Sequence, residues 1–88
     1  MPRAIDWIED AHDTDFGRIV DAYGRLGPIT AFSLCQCVNP HAKGWLQEWK
    51  LTSHFIPSRE RGKTYRSIED GKRACEGIVA GFAQWLAD

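Results

Sequence analysis

The chain has 88 residues, 43% hydrophobic and 26% charged, with a formal net charge of −1. That length makes one domain with a small core, burying roughly 60–65% of its unfolded surface. No run approaches the ~18 apolar residues of a membrane helix, the charged start "MPRAIDWIED" is unlike a secretion signal, and three cysteines point away from a disulfide framework and toward the cytoplasm.

Charge is unevenly distributed along the chain. Residues 1–30 carry three cations and six anions, residues 31–66 six cations and two anions, and residues 67–88 two cations and four anions. The front is acidic and the middle basic, an asymmetry able to steer a partner.

In chain order, "AIDWIED" reads as a first strand or a short helix, and "DAHDTDFG" as an acidic turn. "GRIVDAYG" reads as a strand, Gly27-Pro28 as a turn, and the uncharged, β-branched "ITAFSLCQCV" as a more central strand. After a longer turn, "VNPHAKG", the stretch "WLQEWKLTSHFI" alternates. Trp45, Gln47, Trp49, Leu51, Ser53 and Phe55 fall on one face and Leu46, Glu48, Lys50, Thr52 and His54 on the other, the pattern of a half-buried strand. Residues 1–56 are thus mainly strands, 57–66 a basic loop, and 67–87 a helix.

The helix is the clearest element. Ser67 stands three residues before Asp70, a capping-box-like start, and Glu69 and Asp70 occupy the first turn, where the helix dipole favours carboxylates. At 100° per residue, Ile68, Cys75, Ile78, Val79, Phe82, Trp85 and Leu86 lie within an arc of roughly 120°. Gly77 and Gly81 stand four apart beside that arc, and the reading favoured for them is close approach to a strand of the same domain. The expected fold is α+β: an antiparallel meander of three to four strands with the amphipathic helix across one face. The expected core is Val20, Phe32, Leu34, Trp49, Leu51, Phe55, Ile78, Val79, Phe82 and Leu86. The other sheet face is left uncovered, which is compatible with a monomer or a homodimer.

Four constellations bear on chemistry. "GKT" at 62–64 is not a phosphate-binding loop, because position 57 is Pro rather than Gly and the helix starts only near Ser67. Cys35 and Cys37 share a strand face and His41 follows, but a single pair falls short of four zinc ligands, so the cysteines read as small buried groups facing the helix near Cys75. No metal or cofactor is expected. "EDAHDTDF" gathers Glu9, Asp10, His12, Asp13 and Asp15; it lacks the glycine and terminal glutamate of a calcium loop and reads as a solvated hairpin tip or an anionic docking patch. "PSRERGKTYRS" places Arg59, Arg61, Lys63, Tyr65 and Arg66 on the loop before the helix. Its guanidinium forks suit phosphates or carboxylates, and its tyrosine suits a stacked base or a protein contact.

The tryptophan-bearing meander followed by "GKTYRSIEDGKRACEG" resembles small phage and prophage proteins and the general build of anti-CRISPR and related anti-defence inhibitors. The resemblance is architectural, covers roughly residues 28–86, and carries over no functional residue. It implies a cytoplasmic, non-enzymatic protein that binds a protein or nucleoprotein target stoichiometrically. The alternative is a small nucleic-acid-binding domain using Arg59, Arg61, Lys63, Tyr65 and Arg66.

Overall fold

Among the described residues five strands follow one another in sequence and lie side by side in that same order. They are β1 (Asp6–Thr14), β2 (Gly17–Leu26), β3 (Ile29–Cys37), β4 (Glu48–Ser53) and β5 (Thr64–Tyr65), every neighbouring pair antiparallel. A long helix, α1 (Ile68–Ala87), packs on the sheet, giving an α+β fold. This computed structural model describes residues 5–15, 17–37, 48–54, 56, 59 and 62–87. Among residues singled out above, His41, Trp45, Leu46, Gln47, Phe55 and Arg61 lie outside the described set, as does the turn at 38–44.

Register and alternation sort the strands into two faces. Gly24, Phe32 and Ser53 are aligned across β2, β3 and β4, and so are Ala22, Leu34 and Leu51. These residues, with Trp49, are buried on the face where the helix packs, joined by Ile5, Ile56 and Cys75, with Gly24 beneath Ile5 and Trp7. Ile78, Val79 and Phe82 pack on this core as expected. Trp85 and Leu86 do not: they are 70% and 65% exposed. A 20-residue helix spans about 30 Å and outruns the layer it covers, so its last turns pass beyond the core. Val20 is only half-buried, because the ladder between β2 and β3 begins at Ala22 and Leu34.

Local chemistry sets the boundaries. Ser67 Oγ accepts a hydrogen bond from the Asp70 amide at 3.1 Å, the N-cap foreseen from sequence. Gly27, at φ 61°, makes the two-residue turn into β3. The close helix–sheet approach, however, is at Gly71 rather than at Gly77 and Gly81. A Cβ on Gly71 would stand 2.8 Å from Leu34 Cδ2, whereas around Gly77 and Gly81 there is open space.

The acidic front is also more ordered than a turn. Asp10 to Thr14 continue β1, and only residues 15 and 16 separate it from β2. The alternation that reveals a half-buried strand is missing there because both sides of this segment are largely exposed. The basic loop likewise contributes β5, which sets Tyr65 opposite Trp49.

Candidate interaction surface

Past Ala22, β1 and β2 continue as a two-stranded arm without backbone pairing to β3. Three side chains clasp its root. Trp49 Nε1 donates to the Val20 carbonyl at 2.7 Å, the Val20 amide donates to Gln36 Oε1 at 2.9 Å, and the Gln36 amide donates to Asp21 Oδ1 at 2.9 Å. Gln36 and Trp49 are themselves cross-strand neighbours. Side chains thus stand in for the missing ladder and hold a ribbon that is marginal on its own.

The arm is strongly anionic. Asp10, Asp13 and Asp15 are exposed, and Asp10 stands directly opposite Asp21. Like charges so placed repel each other. The field reaches neighbouring groups: burial and then the Asp21 charge hold both the Tyr23 phenol and the Cys35 thiol above their ordinary ionisation ranges. Glu9 lies on the helix-covered face and is engaged internally, with Lys72 Nζ 2.8 Å from its Oε1. Lys72 also sits 5.8 Å above the Trp7 ring and 3.8 Å from Glu69 Oε1. Trp7, Glu69 and Lys72, with Arg73 and Glu76, line a groove of about 450 Å³.

The basic segment occupies the opposite edge. Arg59, Lys63 and Arg66 are exposed around β5, and exposed Lys50 pairs with Thr64 beside them. Four strand spacings, about 19 Å, separate β1 from β5. The meander therefore turns the charge order of the sequence into a sheet acidic at one edge and basic at the other. Tyr65 is half-buried against the core, so its ring is committed to packing.

The cysteines depart from expectation. Cys35 is exposed and Cys37 half-buried, both on the face away from the helix, while Cys75 alone is in the core. The helix covers the face of Phe32, Leu34 and Gln36, which turns the odd-numbered residues of β3 the other way. Among the described residues no three His, Cys, Asp or Glu side chains gather as metal ligands. Burial pushes the Cys75 thiol from 9.0 up to about 12. An unfolded thiol ionises above 9.0 and the native one keeps its proton, so this group's share of stability is intact below pH 9.0 and falls as pH rises toward 12. A thiol reagent at mildly alkaline pH is expected to modify Cys35 in the native protein and Cys75 only after unfolding. Mass spectrometry of the labelled peptides checks this.

The sequence held no local signal for two further contacts, the Glu9–Lys72 pair and a 2.9 Å hydrogen bond between Ser33 Oγ and His54 Nε2. Gln36 did carry one: a polar residue among buried neighbours needs a partner. Among the described residues no helix is long and apolar enough to cross a membrane. No family model, curated protein or solved structure matches the chain.

Proposed function

We propose that this protein is a non-enzymatic interaction module, an inhibitor of the phage anti-defence (anti-CRISPR) kind that binds a protein or nucleoprotein target stoichiometrically through its acidic arm. The observation that carries this reading is the arm itself. Exposed Asp10, Asp13 and Asp15 project on a ribbon whose root is held by dedicated side-chain hydrogen bonds. Asp10 faces Asp21 there despite the repulsion, an arrangement that folding alone does not favour. A concentrated anionic ribbon suits a surface that ordinarily meets the phosphate backbone of a nucleic acid.

A second reading rests on the other edge. Arg59, Lys63 and Arg66, with Lys50, form a cationic rim suited to phosphates. Arg61 belongs to the same segment of sequence and Tyr65 anchors it.

Because the edges are far apart, one experiment separates the readings. Tagged protein is passed through a nuclease-treated bacterial lysate, and the retained species are identified and their stoichiometry measured. The D10N/D13N/D15N variant is expected to lose a stoichiometric protein partner that R59Q/K63Q/R66Q keeps. The opposite pattern, or retention of nucleic acid alone in a lysate without nuclease, moves the site to the basic rim. Turnover of a substrate by the purified protein overturns the non-enzymatic reading.

A further inference from the structure

β1 is an outer strand of the sheet, and on its outer side no strand pairs with it among the described residues. Its nine residues pair with β2 without a bulge. In an antiparallel ladder alternate residues direct their amide and carbonyl to one neighbour, so about half of this strand's backbone groups are directed outward. We infer that this edge accepts one more strand, an extended lysine- or arginine-rich segment of the target protein. The inference rests on the reading above and names the chemistry of the partner.

Charge on both sides of the strand selects that occupant. Asp6 and Asp10 lie on the open face and Asp13 on the helix-covered face, where Glu9 is already paired with Lys72, so an incoming strand meets carboxylates on both sides, most of them on the open face. Main-chain hydrogen bonds supply affinity in strand addition and alternating side chains supply specificity. Ile8, 49% exposed between Asp6 and Asp10, adds an apolar contact near one end. The matching segment therefore alternates, with cations on the open face opposite Asp6 and Asp10 and β-branched residues on the other face opposite Trp7 and Ala11.

The same charges work against a second copy as the occupant. Antiparallel pairing of β1 with itself centred on Asp10 sets Asp10 against Asp10 and Trp7 against Asp13. Parallel in-register pairing opposes every carboxylate to its twin. The basic edge of another copy offers β5, which has only two residues. A nucleic acid has no peptide edge to pair, and its phosphates are repelled here.

The probe is an eleven-residue synthetic peptide alternating Lys with Val, compared with one alternating Lys with Pro, which has equal charge but cannot form a regular strand. Binding is followed by fluorescence anisotropy, and backbone protection by hydrogen exchange in NMR spectra. The Lys-Val peptide is expected to bind and to protect alternate amides of β1, and the Lys-Pro peptide to bind weakly without protection. D10N/D13N is expected to weaken binding on the order of tenfold. That variant also removes the repulsion with Asp21, so it remains folded. R59Q/K63Q is expected to leave affinity unchanged. Equal binding of both peptides, or binding without β1 protection, overturns strand addition. If the lysate partner is still captured through the arm in that case, the inhibitor reading survives and only its mode of contact is lost.

Discussion

Replacing Trp49 by phenylalanine is expected to destabilise the protein by about 2–3 kcal/mol and to loosen the root of the acidic arm. The phenyl ring keeps part of the buried apolar contact but removes the indole N–H that donates to the Val20 carbonyl at 2.7 Å. That carbonyl belongs to the stretch of β2 without a backbone partner on β3, so removing the donor leaves it unpaired. An unsatisfied, partly enclosed carbonyl costs roughly 1–3 kcal/mol, and the lost ring volume adds to it. In a domain of this size the melting temperature should fall by roughly 10–20 °C. Hydrogen exchange gives the more specific readout: the Val20 and Gln36 amides, which donate into the same clasp, should exchange faster than the β3–β4 core. Trp85→Phe is the control, since Trp85 is 70% exposed, its ring 5.9 Å from that of Phe82 between centroids. Equal stability of W49F and W85F would show that the clasp contributes nothing. For the proposed function the consequence is direct, because an arm whose root opens presents its carboxylates in no fixed geometry.

The second large effect separates the helix glycines. Gly71→Val should cost about 1–3 kcal/mol, whereas Gly77→Ala and Gly81→Ala should each stabilise by up to about 1 kcal/mol. At Gly71 the helix backbone lies against Leu34, and an added Cβ stands 2.8 and 2.9 Å from its two δ-carbons. Leu34 is fully buried, so its side chain has no free space into which to rotate. The helix must lift away, and Cys75, one turn further on, loses its packing with it. Gly77 and Gly81 face open space in the helix, so alanine there gains helix propensity without a clash. Denaturant titration of the three single variants tests the pattern. A loss of stability at Gly77 or Gly81 would reveal a contact on that side of the helix.

Part of this architecture was legible before any coordinates. The period-two pattern of "EWKLTS" places Trp49, Leu51 and Ser53 on one face, and all three are buried. Ser67 and Asp70 mark the helix start because capping depends on residues three apart, and local chemistry of that kind is written locally. Neighbouring strands joined by short turns pair in sequence order, which is enough to foresee a meander and a helix on one side.

Periodicity assigns residues to faces without saying which face is covered; it is equally compatible with Cys35 and Cys37 under the helix or on the far side, where they lie. The strand nature of Asp10 to Thr14 was hidden for a related reason, since an arm exposed on both faces has no apolar alternation to display. Composition identified the acidic and basic clusters, and the fold decided their separation by setting β1 and β5 at opposite edges of one sheet. Glu9, still exposed, is paired with Lys72, 63 residues away, and Tyr65 is drawn from the basic loop into packing across from Trp49. By itself the sequence determined what depends on near neighbours: strand faces, the helix cap, and the order of charges along the chain. The tertiary structure alone decided which face the helix covers, which glycine it needs, and which charges are paired across the fold, because each depends on where segments distant in sequence meet.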